Sequence, residues 1–371
     1  MRKSAALSSV GIVSLLVACS SPQKGTTWTF RTERPLLAGD SQALTPVVDD
    51  ELAFFCGGYS YADQAAIHAI SLRDGSLRWT HRVGKCAHAP FLSAGTLIVP
   101  AEEGRDGPCV LQAYDRKTGA TIWRHHFREA GPVGPGRCSL HAAEAPDRIV
   151  FAFPGDEDVR SVRAQNGQLE RFSLRSERGR RRLWLTGSGP TAWFGFGTHV
   201  WRWPTGTPQP DASSRLAANA ESSDYSATAG GMLFLGERRP GRLRGFTLET
   251  GALLWEQTAF PQILSVAAID DKLFVNIWRK RFELVSVDRA TGLELWSAGV
   301  GGFYSPTPHG GRLYANGHFS VFVADAATGK ILQTIESSAE VTTTPRLAGD
   351  LVLFGTIDGA LHAVRLSPTV R

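Results

Sequence analysis

Five cysteines, ten histidines and three arginine-rich clusters are the side chains of this 371-residue sequence whose chemistry is worth locating first. Cys86 and Cys138 are each followed closely by a histidine, His88 and His141, and His125 and His126 stand between them. Thiolates and imidazoles of this kind can ligate Zn²⁺, but their spacing matches no known zinc knuckle. In an oxidising compartment an even set of thiols pairs instead, and Cys56, Cys86, Cys109 and Cys138 make such a set. The arginine clusters are Arg178, Arg180, Arg181 and Arg182; Arg238, Arg239, Arg242 and Arg244; and Arg279 with Lys280 and Arg281. Guanidinium forks suit carboxylates or phosphates. No Gly-x-Ser-x-Gly, His-Glu-x-x-His or phosphate loop occurs, and Asp156, Glu157 and Asp158 read as solvated turn residues. No catalytic residue is assigned, and the expectation is a binding protein rather than an enzyme.

The fifth cysteine has a different setting. Arg2-Lys3 and the apolar run Ala5–Ala18 read as a signal peptide, too short for a permanent membrane helix. The run ends in Leu16-Val17-Ala18-Cys19, which resembles the lipobox of bacterial lipoproteins. That resemblance implies cleavage before Cys19 and a lipid on its sulfur, and Ser20-Ser21 after it favours the periplasmic side of the outer membrane. The expected organisation is a signal peptide at 1–18, a tether at 19–25 and one domain at 26–371. Loss of the leader lowers the formal charge of +5 by the two charges of Arg2 and Lys3. So weak a basic balance makes no case for nucleic acid. With 42% hydrophobic and 20% charged residues, the chain can bury a large core.

The elements that position these residues come from a repeat. Thr45-Pro46-Val47-Val48 and Ala89-Pro90-Phe91-Leu92 each lead through a tight turn into an apolar strand, and the phrase returns near 140, 183, 225, 264, 304 and 343. The second strands of these units begin near 51, 96, 148, 190, 232, 272, 312 and 351, a step of about 43 residues that fits four short strands. A second phrase, Asp115-Arg-Lys-Thr-Gly119-Ala-Thr-Ile-Trp123, recurs ending at Trp255 and Trp296, with a variant ending at Trp79. Gly closes a hairpin turn there. The Trp falls at a fixed place on the outermost strand, where it can pack between blades. Units 3 and 4 are degenerate, with Pro204, Pro208 and Pro210 expected to replace a regular outer strand in unit 4. Unit 8 lacks a fourth strand, and Thr26–Arg31, carrying Trp28, supplies it. The predicted fold is all-β: an eight-bladed β-propeller of four-stranded antiparallel blades, closed by the N-terminal strand.

In such blades the second-to-third loops and the blade-to-blade connections share one face, here the connection face; the other turns share the turn face. Cys56 and Cys86, and likewise Cys109 and Cys138, reach the connection face in adjacent blades. Of three possible pairings, the walk along the strands favours Cys56–Cys86 and Cys109–Cys138, with metal ligation as the rival. All three arginine clusters map to the connection face, either as ordinary solvated loops or as a docking surface for an acidic partner or an anionic glycan or lipid. The tether enters from the turn face.

These phrases resemble the pyrroloquinoline-quinone-type propeller repeat, over nearly all of 26–366, and the chain resembles the BamB family of outer-membrane assembly lipoproteins. The resemblance implies a lipid-anchored envelope scaffold with protein partners, in a β-barrel assembly complex. It also raises a quinone cofactor. The quinoproteins of the superfamily carry adjacent cysteines and Ca²⁺ ligands that this sequence lacks, so no cofactor and no metal is expected. The alternative function is a periplasm-facing ligand-binding protein or quinoprotein-like enzyme that uses the central channel.

Overall fold

The computed structural model describes residues 26–32, 45–57, 65–103, 107–127, 140–153, 158–173, 183–188, 191–196, 199–216, 223–269 and 271–367. Among these residues there are only strands, in eight antiparallel units that follow one another along the chain. The innermost strands are Val47–Val48, Phe91–Ser93, His141–Ala145, Leu183–Ser188, Tyr225–Ala229, Ile263–Ile269, Thr307–His309 and Arg346–Ala348. Blades 1 and 2 merge into one sheet where Lys85 and Cys86 pair with Glu102 and Ala101.

Closure follows the expected route. Thr26–Arg31 pairs antiparallel with Ala360–Arg365, and Trp28 lies opposite Ala363. Two ends with one missing strand between them thus complete each other's hydrogen bonding, which leaves blade 8 with four strands.

Burial explains the strand chemistry. Second strands such as Leu52–Gly57 and Thr96–Glu102 are buried at every position, because neighbouring blades cover both of their sheet faces. Outer strands such as Leu169–Ser173 alternate between exposed and half-buried, because blades diverge with radius. The apolar clusters span blade boundaries: Trp28, Phe55 and Ile70 pack with Leu353 and Leu361 between blades 8 and 1.

The repeated tryptophans are interblade pegs. Trp28, Trp79, Trp123, Trp255 and Trp296 donate their indole N–H groups to the backbone carbonyls of Leu72, Arg116, Ala164, Arg289 and Ala326, each in the next blade. Each ring also covers the turn glycine of that next blade. A Cβ added at Gly119 would stand 2.8 Å from Trp79, and one at Gly292 would stand 2.6 Å from Trp255. These glycines hold φ of 73° and 74°, so the position excludes a side chain on two grounds. Within the turn, the Asp115 carboxylate accepts from the Thr118 N–H at 2.8 Å, and Asp288 does the same for Thr291 at 2.7 Å.

Two expectations need correction. Blade 4 keeps a regular outer strand, Asp211–Arg215, paired with His199–Pro204. Pro204 ends one strand, and Pro208 and Pro210 fall in the turn, where no ladder N–H is needed. Asp158 is not a solvated turn residue: it opens the strand Asp158–Arg163, is buried, and is ion-paired with Arg171. Asp156 and Glu157 lie outside the described residues.

Candidate functional site

On the connection face, Cys56 and Cys86 form a disulfide with a Cα–Cα separation of 6.5 Å, tying blade 1 to the entry of blade 2. Cys109 is also disulfide-bonded. Cys138, the partner favoured for it by the sequence, lies outside the described residues, as does Cys19. The histidines are drawn into packing. His88 stacks on Phe91 at 4.9 Å and is 3.0 Å from the Ala89 carbonyl, and burial lowers its pKa. His125 reaches the Gly167 carbonyl at 2.6 Å, and His126 lies 3.4 Å from Glu103. Among the described residues no three His, Cys, Asp or Glu side chains gather as a metal would require. The sequence has no adjacent cysteine pair.

The arginine clusters divide. Arg178, Arg180, Arg181 and Arg182 lie outside the described residues. Arg244, expected on the docking surface, is 3% exposed and ion-paired with Glu237. It is therefore a structural group: the third strand Leu243–Thr247 is covered on both sheet faces, so Arg244 is buried along with its neighbours. Arg242 lies 3.9 Å from both Glu237 and Glu256, and Arg279 pairs with Glu283 at 3.0 Å and Glu294 at 3.4 Å. Sequence clustering overstated the free charge because acids on neighbouring strands face these bases. Arg238, Arg239, Lys280 and Arg281 remain exposed. Among the described residues Arg239 reaches only the Gln262 amide, at 3.4 Å, and Arg281 is loosely placed 3.6 Å from Glu283. Lys280 holds φ of 144°, a strained geometry at the tip of the tight Arg279–Arg281 turn.

Beside these cations the structure places a feature the sequence reading missed. Trp278 and Phe303 meet on either side of Phe282, with ring centroids 4.8 Å apart in each contact, and they are 42% and 51% exposed. Large exposed aromatics gathered around one shared ring are unusual on a surface with nothing to bind. Phe319, in the equivalent loop of blade 7, is also exposed. One signal existed: Trp278 ends an apolar strand just before a cationic loop, off the outer-strand position of the other repeat tryptophans. The pairing with Phe303, from the next connection, is purely tertiary.

On the opposite, turn face, a cleft of about 560 Å³ lies over blades 1 and 2, lined by Asp50, Glu51, Arg73, Arg78 and Lys117 among others. Its charges are mixed and it sits beside the turn that receives Trp28, so it gives no preference for one ligand sign.

The family model for outer membrane protein assembly factor BamB matches residues 14–190, 195–297 and 280–367. No curated protein sequence matches the chain. Among solved structures, BamB from Moraxella catarrhalis is similar at 13% identity and a TM-score of 0.63, covering 92% of this chain and 99% of that one. Sqt1 from Saccharomyces cerevisiae gives 11% and 0.67, covering 93% and 100%. A quinohemoprotein alcohol dehydrogenase from Pseudomonas putida gives 12% and 0.61, covering 91% of this chain and 72% of that longer one. Identities this low show a shared fold and nothing more.

Proposed function

The chain belongs to the family of outer membrane protein assembly factor BamB, and from that premise we propose that it is a lipid-anchored, non-catalytic scaffold of the cell envelope, acting in outer-membrane protein assembly. Its partner docks on the connection face. The observation that carries this reading is the Trp278–Phe282–Phe303 cluster flanked by Lys280 and Arg281, the latter 73% exposed at its side chain. Aromatic and arginine side chains supply most of the binding energy at protein interfaces. The chemistry fits an acidic segment that presents an apolar side chain: the ring cluster takes the apolar group, and the exposed cations steer and pair the carboxylates.

Replacing Trp278 and Phe303 together with Ser is expected to reduce recovery of a co-purifying assembly partner by about tenfold or more. Both rings lie at the surface, about half exposed and outside the interblade core, so the variant should stay folded with a melting temperature near that of the wild type. Pull-down from mild detergent with the tagged, lipidated protein measures this, and unchanged recovery with the folded variant would sink the docking surface.

The anchor is tested separately. Cys19→Ala is expected to move the protein from the membrane fraction to the soluble periplasm, because stable anchoring needs more than one acyl chain and the variant would carry none. Residues 19–25 reach at most ~25 Å, and the strand they lead into starts on the turn face. The lipid would then hold the turn face near the membrane and leave the connection face open to partners. Retention of the variant in washed membranes would contradict that arrangement.

A further inference from the structure

We propose that the N-terminal strand Thr26–Arg31 is an acid-sensitive latch, whose release as pH falls opens the propeller between blades 8 and 1. The sensor is His362 on blade 8, with His68 on blade 1 assisting it. The inference is independent of partner docking and would survive its failure.

The closing strand meets an imidazole on each of its faces. Alternation sends Trp28 and Phe30 toward blade 1, and Thr29 and Arg31 the other way. Thr29 lies opposite His362 in the register, and its hydroxyl stands 3.2 Å from the imidazole Nδ1. On the other face, the Phe30 ring lies 5.1 Å from that of His68, on the third strand of blade 1, Ala65–Ser71. Both contacts exist only while the strand is in place.

His362 is 4% exposed, and a hydroxyl group occupies each of its ring nitrogens. Thr356 Oγ1 stands 3.2 Å from Nε2 and donates its own proton to Asp358 at 2.6 Å. Nε2 therefore carries the ring hydrogen, and the bare Nδ1 accepts from Thr29. This arrangement suits the neutral ring. A second ring proton would turn Nδ1 into a donor and force the Thr29 hydroxyl to rotate. It would also place a charge in a buried ring that stacks on Phe354 at 5.1 Å.

Two charged groups act on this ring. Asp358 favours its protonation, but that carboxylate is held by Arg31 at 2.6 Å, and Arg31 opposes the proton. Blade 7 meets this place through Val341, which bridges Thr356, and its Glu340 carboxylate lies 3.4 Å from His318. Burial outweighs these charges and holds the His362 pKa down at about 4, against an ordinary 6.5. His68 is half-buried, with the Thr80 hydroxyl 3.1 Å from its Nδ1. Arg82, two residues on along the same strand face, is exposed, and burial lowers the His68 pKa to about 4 as well. Its partial exposure makes His68 the smaller contributor.

Release of the strand takes Thr29 and Arg31 from His362 and Phe30 from His68, and water reaches both rings. The released form then binds protons with a pKa near 6.5, whereas the latched form does so only near 4. Between those values the released form holds the additional proton. The balance therefore moves toward release as pH falls from 6.5, and levels off below 4. Thr26–Arg31 is also the strand into which the tether leads, so acid would loosen the propeller from its lipid. That consequence rests on the anchor proposed above; the latch does not.

Hydrogen exchange of the purified, detergent-solubilised protein at pH 7 and pH 5, corrected for the intrinsic effect of pH on exchange, tests the latch. Protection at Thr26–Arg31 and Ala360–Arg365 is expected to fall by about tenfold or more at pH 5 and to recover at pH 7. Protection at Lys272–Trp278, in blade 6, should stay within about twofold. His362→Gln, whose amide can donate to Thr356 but does not titrate, should lose most of the response. Adding His68→Phe should remove the rest. An NMR titration of the wild-type imidazoles needs no variant, and His362 should remain neutral at pH 5. Protection unchanged between the two pH values overturns the proposal, as does an equal loss all round the ring, which is ordinary acid unfolding. A His362 ring that is mostly charged at pH 5, or a folded His362→Gln variant with the full response, overturns it too.

Discussion

Trp28→Ala is expected to lower the free energy of unfolding by about 3–5 kcal/mol, the range for deleting a large buried aromatic. The indole is 8% exposed, donates to the Leu72 carbonyl at 2.9 Å, and packs on Gly75 of blade 1. What distinguishes it from Trp79 or Trp296 is the chain it belongs to. Those two sit on strands joined to their own blade by a short turn, so losing the peg leaves the strand in place. Trp28 sits on Thr26–Arg31, which no turn joins to blade 8: it is held there by hydrogen bonds to Ala360–Arg365, by Arg31 on Asp358 and Thr32 on Gly359, and by packing with Leu353 and Leu361, with Phe55 of blade 1 on its other side. Without the ring, the strand loses its main contact with blade 1, and the ring of blades is expected to open first between 8 and 1. Denaturant unfolding should show the loss, and hydrogen exchange should accelerate first at Leu351–Gly355 and Ala360–Arg365. If Trp28→Ala and Trp296→Ala cost the same and exchange rises evenly round the ring, closure by the N-terminal strand is not what stabilises the propeller.

The second large effect is expected at Arg148, which no repeat pattern singled out. Its side chain is completely buried. It donates to Glu170 at 3.0 Å, to the Asp147 carboxylate at 3.1 Å and to the Thr207 carbonyl of blade 4 at 2.7 Å, and its guanidinium lies 5.9 Å over the Trp203 ring. Blade 3 has no repeat tryptophan to send into blade 4, and this guanidinium occupies the junction instead. Gly206 of blade 4 adds a return bond, its N–H donating to Asp147 at 3.3 Å. Arg148→Met keeps much of the volume but leaves Glu170 buried with only Arg163 near it, at 3.7 Å. Breaking a buried pair from one side typically costs about 3–5 kcal/mol, whereas replacing both partners with apolar groups is often nearly neutral. Arg148→Met should therefore unfold at lower denaturant, and the double variant Arg148→Met with Glu170→Leu should recover most of the difference. A single variant as stable as the wild type would mean that the blade 3–4 junction is held by Trp203 and its apolar neighbours alone.

These two sites show how far the repeat reading extends. Trp28 was legible because the motif has a period: its place on an outer strand, and the missing fourth strand of unit 8, both follow from counting. The partner of each tryptophan was not legible. That the ring sits on the glycine of the following blade, not of its own, depends on how the blades rotate about the axis. Arg148 was invisible because it takes the place of a missing motif residue, and its partners come from three separate stretches of chain. The arginine clusters erred in the other direction. Runs of like charge stand out in a sequence, but Glu237, Glu256, Glu283 and Glu294 meet them only once strands are paired.

By itself, then, the sequence determined the strand type, the eightfold count and the closing strand, because each is a local alternation of apolar residues repeated at a constant interval. It also determined which face each loop belongs to, since antiparallel strands reverse direction at every turn. Only the tertiary structure decided which charges stay exposed on the connection face and which aromatics gather there. Those outcomes depend on distances between residues far apart in the chain, and no local periodicity encodes such distances.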